Sequence, residues 1–181
     1  MLRWLLRRRL AAFERKFDYD VSYARDILAA DPGALLRFGR VQALGQYCRD
    51  LPRDAWYAAG LAGTMAEDCG PCTQLGVTMA EREGIPAATL RAIIGRDVAA
   101  MPADVALAFR FAQAVLAHDA GADALRVEIL ERWGPRALVS LGFALTAARL
   151  YPTMKYALGH GRSCQRVTVN GAPVPVLRQA A

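Results

Sequence analysis

Two cysteines separated by Gly-Pro, within Glu67-Asp68-Cys69-Gly70-Pro71-Cys72, carry the strongest chemical signal in this sequence. Thiols at that spacing close a disulfide with little backbone movement, which is the working part of a dithiol redox centre. Pro71 marks the first turn of a helix, so both cysteines are expected at a helix N-terminus. Unpaired backbone N–H groups and the helix dipole there favour a thiolate over a thiol. A thiolate attacks a peroxide oxygen or a disulfide sulfur. Attack on a peroxide leaves a sulfenic acid, which a second thiol resolves to a disulfide that an external dithiol must then reduce. Glu67 and Asp68, directly before the motif, are able to move the protons these steps require. They also repel a thiolate and raise its pKa, so their two effects oppose each other.

Further residue sets carry chemistry of their own. His160 and Cys164, joined with Cys69 and Cys72, have the composition of a Cys₃His zinc set, the alternative to a redox pair. Tyr151, Lys155 and His160 surround a kink expected at Pro152 and are accessory candidates for a pocket behind the thiols. Helix caps and a solvated lysine are the ordinary outcomes for such residues. Cys48 reads as a small apolar side chain at a helix end. Trp56, Met65, Met79 and Phe111 read as core, or as an apolar wall suited to an organic hydroperoxide.

The elements that must position these groups are helical. A Cys-x-x-Cys near a βαβ pattern would indicate a thioredoxin-like site. Here it follows Trp56–Ala66, which is rich in alanine and poor in β-branched residues, so a helix delivers it. Leu2, Leu5, Leu6, Leu10, Phe13 and Phe17 recur at helical spacing in an amphipathic first helix. A short helix around residues 22–30 follows. Asp31-Pro32 then supplies an N-cap and a first-turn proline for a helix through about Tyr47, with Leu35, Leu36, Val41 and Leu44 as its core side chains. The Cys72 helix runs to Glu83 and stops at Gly84. Further helices are expected from Ile85-Pro86 to Ile94, from Met101-Pro102 onward, over 121–133 and over 135–160. Asn170-Gly171 between two β-prone runs over 167–176 predicts a hairpin. Pro173 and Pro175 confine its second arm to a sheet edge, and so small a hairpin must lie on its own domain or on a neighbouring subunit.

The chain has 181 residues, 54% of them hydrophobic, enough for one domain with a core and no disulfide staples. The expected organisation is a single all-α helical bundle over 1–162, with N-terminal helices in 1–48, and a hairpin tail over 163–181. The net charge is +6, yet Lys16 and Lys155 are the only lysines and the arginines are interleaved with Asp and Glu. No basic stripe with stacking aromatics is present, which argues against a nucleic-acid partner. Arg3, Arg7, Arg8 and Arg9 form one local excess. On the first helix that excess is the sequence of a capping helix or subunit contact, with membrane-surface contact the less favoured reading. No apolar run is long enough to span a bilayer. Met1–Arg9 lacks a sustained apolar core and a small-residue cleavage site, so the expected compartment is the reducing cytoplasm and the cysteines are not structural disulfides.

The alanine-rich helix, then Glu-Asp-Cys-Gly-Pro-Cys-Thr-Gln-Leu, then a helix ending Glu81-Arg82-Glu83-Gly84-Ile85-Pro86, resembles the alkylhydroperoxidase D/carboxymuconolactone decarboxylase family. Ala108-Phe109-Arg110-Phe111-Ala112 in a later helix fits the same plan, and the resemblance covers roughly residues 50–160. It implies an all-helical fold assembled as a homo-oligomer. Its redox members reduce hydroperoxides with a Cys-x-x-Cys that a partner dithiol recharges, without a bound cofactor. The resemblance further implies that Cys72 attacks the peroxide and Cys69 resolves. Redox members carry a His four residues after the second cysteine and a Glu one helix earlier; here those positions are Gly76 and Tyr57. Glu67 is then the nearest substitute proton carrier, with Asp68 second. The missing relay supports the competing expectation of a non-catalytic helical interaction protein that keeps the fold.

Overall fold

A computed structural model describes residues 1–162 and 166–176 of the chain. Helices dominate it: α1 (Leu2–Phe17), α2 (Ser22–Ala30), α3 (Pro32–Gly39), α4 (Val41–Leu44), α5 (Arg53–Ala66), α6 (Gly70–Arg82), α7 (Ala87–Ile94), α8 (Ala103–Leu116), α9 (Ala122–Trp133) and α10 (Pro135–Ala157). A 3₁₀ turn over Val98–Ala100 precedes α8, and an antiparallel pair, β1 (Arg166–Val169) and β2 (Ala172–Pro175), follows α10. No helix among the described residues is long and apolar enough to cross a membrane.

The helix α5 is the axis of the bundle. Ala55, Ala58, Ala59, Ala62 and Gly63 keep it slim, so α8 and α10 pack directly against it. The closeness is measurable at Gly63, where a Cβ would stand 3.0 Å from the Ala148 Cβ. Leu61, Leu90, Ile93, Val105, Phe109 and Ile129 fill the same core, which extends through α6 and α7 to Val167, Val169 and Val174 of the hairpin. The hairpin lies on its own chain, against α6 and α7, with the turn at Asn170-Gly171 and Val167 opposite Val174. Gln74 of α6 fixes it, accepting from the Thr168 N–H at 2.8 Å and donating to the Thr168 carbonyl at 3.1 Å.

A second core is built from α1, α2 and α3. Leu6, Tyr19, Val21, Tyr23, Ile27, Leu28 and Leu35 are buried there, with Phe13, Phe17, Phe38, Leu75, Tyr151 and Met154 packed around them. Its rings form a chain of tilted and edge contacts: Phe13 to Tyr19 at 6.0 Å, Tyr19 to Tyr23 at 6.5 Å, Tyr23 to Phe38 at 6.3 Å and Phe38 to Tyr151 at 5.2 Å. Leu75 and Tyr151 belong to α6 and α10, so this cluster is anchored on the main bundle.

Several expectations are corrected. The helix opened by Asp31, whose carboxylate accepts from the N–H groups of Gly33 and Ala34 at 2.7 and 3.1 Å, does not reach Tyr47. It ends at Gly39, a poor helix former, and resumes only as the single turn of α4. Leu36 is 44% exposed, because Leu35 and Phe38 occupy the face that meets the aromatic cluster. On α1 only Leu6 is buried; Leu2, Trp4 and Leu5 are exposed because the helix begins beyond the edge of the core. The last helix stops at Ala157 rather than His160, with Pro152 inside it.

Candidate redox site

After α5 ends at Ala66 the chain reverses through Glu67 and Asp68, and Asp68 takes the left-handed conformation at φ 48°. Cys69 follows in extended geometry as the N-cap of α6, with Gly70 and Pro71 in the first turn and Cys72 directly after them. Buried Thr73 ties this corner to α5: its Oγ1 lies 3.0 Å from the Cys69 carbonyl and 3.1 Å from Thr64 Oγ1. The far end of α10 and the chain beyond it clamp the corner from outside. The Tyr156 hydroxyl donates to the Asp68 carbonyl at 3.0 Å, and the Gly70 N–H donates to the Arg162 carbonyl at 3.2 Å.

Cys69 and Cys72 are both free thiols, and both are buried, Cys69 completely. Their acidities diverge. Cys69 is lowered, first because the Cys72 thiol hydrogen-bonds to it; the Cys72 amide and Lys155 act in the same direction, against burial and Asp68. Cys72 is raised, first by that same hydrogen bond and then by burial. The two adjacent sulfurs thus share one proton between them.

Behind Cys72 stand two groups from distant parts of the chain. The Tyr19 hydroxyl, in the connection between α1 and α2, lies 3.7 Å from Cys72 Sγ. Lys155 of α10 donates from Nζ to the Tyr19 hydroxyl at 3.4 Å, and the ammonium sits 4.6 and 5.4 Å from the ring centres of Tyr19 and Tyr23. Lys155 is 1% exposed and has no carboxylate at ion-pair distance among the described residues. Unpaired buried charges are costly, and here the aromatic faces of Tyr19 and Tyr23 offset this one. Burial raises the pKa of Tyr19 strongly, so the hydroxyl stays protonated and available for donation.

The other candidates sit elsewhere. Glu67 is engaged by Arg149 Nε at 2.5 Å, in an ion pair on the α10 side of the corner. Asp68 contributes its carbonyl to Tyr156. Tyr151 packs on Phe38 in the aromatic cluster, and its pKa is raised by burial. His160 Nε2 lies 2.6 Å from Asp26, so it links the end of α10 to α2. Cys164 lies outside the described residues, and among the described residues no three metal-ligating side chains converge. Cys48, half-buried after α4, donates to the Leu51 carbonyl at 3.7 Å. Gly76 and Tyr57 have structural reasons of their own. A Cβ at Gly76 would stand 2.9 Å from Leu61 Cδ2, so no larger side chain enters without moving a buried leucine. Tyr57 donates to Glu83 at 2.8 Å, at the opposite end of α6 from the thiols. Compared with family models, with curated proteins and with solved structures, the chain gives no significant match.

Tyr19 is the site residue that sequence reasoning missed. It stands between two aspartates in Asp18-Tyr19-Asp20, a context that reads as an exposed helix connection.

Proposed function

We propose that the chain is a dithiol oxidoreductase that reduces organic hydroperoxides or exchanges disulfides through Cys69 and Cys72. The observation that carries this reading is the geometry at the head of α6: Cys69 is the N-cap and Cys72 lies in the first turn, both are free thiols, and the Tyr19 hydroxyl stands 3.7 Å from Cys72 Sγ with Lys155 behind it. Two thiols at this spacing close a disulfide with little backbone movement. In this reading Cys69, whose pKa is lowered, attacks and Cys72 resolves, the reverse of the order implied by the alkylhydroperoxidase D resemblance. With a hydroperoxide, the Cys69 thiolate bonds to the distal oxygen, the O–O bond breaks, and the alkoxide takes one proton to leave as an alcohol. Cys72 then gives up its proton and bonds to the Cys69 sulfur, expelling hydroxide, which is protonated to water. A partner dithiol returns two electrons and restores the pair.

Intact-mass analysis before and after one equivalent of an organic hydroperoxide tests the reading. Loss of two hydrogens mapped to Cys69 and Cys72 is expected, and restoration by a small dithiol should follow. Thiols that stay free under both the hydroperoxide and an oxidised dithiol would overturn it and leave the helical interaction protein as the better description.

A further inference from the structure

The dithiol reading leaves one proton without a carrier: the one Cys72 must lose when it closes on oxidised Cys69. The residues that serve this purpose in redox members of the resembling family are replaced by Gly76 and Tyr57, and Glu67 is held by Arg149. From the geometry around Cys72 we propose that Tyr19 and Lys155 form the proton relay of this dithiol.

One hydrogen bond has a fixed sense. The ammonium of Lys155 has no lone pair, so Nζ can only donate to the Tyr19 oxygen, at 3.4 Å. The Tyr19 hydroxyl and the Cys72 thiol are 3.7 Å apart, where either can donate, so a proton can pass between them in both directions. Lys155, Tyr19 and Cys72 thus stand in one line, with Cys69 next to them as the N-cap of α6. Burial keeps bulk water from replacing any link, since Lys155 and Cys69 have 1% and 0% of their surfaces exposed. The groups facing Lys155 are Tyr19 and Tyr23 from the α1–α2 region, the two thiols from α6, and Asp20, whose carboxylate is exposed and occupied by the Ser22 N–H and hydroxyl at 2.9 and 2.5 Å. Nothing else of opposite charge competes for the ammonium among the described residues.

The relay runs in two directions during one cycle. When Cys69 breaks the O–O bond, a proton passes from Lys155 through the Tyr19 hydroxyl toward the departing alkoxide, leaving a neutral amine. When Cys72 then attacks the sulfenic sulfur, its proton returns through Tyr19 to that amine, the S–S bond forms and hydroxide leaves to be protonated by solvent. The sum is thiolate, thiol, hydroperoxide and one proton giving disulfide, alcohol and water. Tyr19 never has to ionise on its own, because it gains a proton on one side as it loses one on the other.

This proposal rests on the dithiol reading, and its test separates the two. The first measurement, ultraviolet titration of thiolate in the reduced protein, needs no turnover. Lys155→Met should move the Cys69 titration upward by about one pH unit, a tenfold loss of thiolate at the parent midpoint. Tyr19→Phe should leave that titration close to the parent. The second measurement is quenched-flow mass analysis after a hydroperoxide pulse. Tyr19→Phe should slow closure of the disulfide about 100-fold and let the sulfenic acid accumulate for trapping by dimedone. Lys155→Arg, which keeps the charge but holds its proton, should preserve the thiolate and slow closure similarly, and it serves if the Met variant does not fold. An unmoved titration in Lys155→Met, or closure at the parent rate in Tyr19→Phe, would overturn the relay. Failure of the parent itself to form a disulfide would instead overturn the dithiol reading, with the titration still reporting the coupling.

Discussion

The two cores of this protein are packed on opposite principles. Around α5, alanines and glycines let helices approach closely, and the space between them is filled mainly by aliphatic side chains with Phe109 and Phe111, without a buried charge. Around α1 and α2 the filling is aromatic, and tyrosine hydroxyls and an ammonium are buried with it. Close-packed aliphatic surface is stiff but chemically inert, whereas aromatic rings tolerate a cation on their faces and carry hydroxyls into the interior. The dithiol sits where the two meet. The scaffold supplies Cys69 and Cys72 at the head of α6, and the aromatic core supplies the groups able to hold charge and protons beside them. The scaffold helices α6 and α10 thus contribute the sulfurs and Lys155, while Tyr19 comes from the connection between α1 and α2.

That comparison is sharpened first by the cysteines. Cys69→Ser should abolish oxidation by a hydroperoxide altogether, and Cys72→Ser should abolish the disulfide while leaving a sulfenic acid trapped on Cys69 by dimedone. The opposite pattern would restore the order in which Cys72 attacks. The next effect is on stability. Leu61→Ala, in the aliphatic core, should cost about 2–5 kcal/mol in urea unfolding and leave the thiolate titration unchanged. Phe13→Ala, half-buried in the aromatic core, should cost only about 1–2 kcal/mol yet accelerate labelling of the thiols, because its ring stands against Tyr19. If both variants change stability and labelling in proportion, the division of labour between the cores is wrong. In the parent, the Cys69 thiolate should titrate near pH 7 rather than in the ordinary thiol range, so hydroperoxide reactivity is retained down to about that pH and falls below it. A midpoint in the ordinary range would remove the electrostatic case for Cys69. The smallest effect belongs to Glu67→Gln. It loses one exposed ion pair with Arg149, worth about 0.5 kcal/mol, and should slow disulfide closure by no more than about threefold. A loss as large as that of Tyr19→Phe would return the proton to Glu67.

Much of this architecture is legible in local sequence. Pro71 behind Cys69, Asp31 before Pro32, Gly84 after Arg82-Glu83 and Asn170-Gly171 between valine-rich runs each act within a few residues, and each turn or helix end is found at its expected place. Two helix ends fall short, Gly39 instead of Tyr47 and Ala157 instead of His160; the first lies where a helix has weak local support and its continuation depends on what lies beneath it. Burial on α1 was misjudged for the same reason: spacing shows which side chains share a face, but not how far the neighbouring core extends under them.

The sequence by itself determined that this is a helical protein with a hairpin, and that two thiols stand at the start of one helix, because propensities, caps and turn residues act over a turn or two. Only the tertiary structure decided what surrounds those thiols. Tyr19 reaches Cys72 across 53 residues and Lys155 across 136, and neither approach leaves a mark in local sequence. Packing the aromatic core onto α6 and α10 brings them there, whereas Arg149 of α10 engages Glu67 and Leu61 of α5 closes the space beside Gly76.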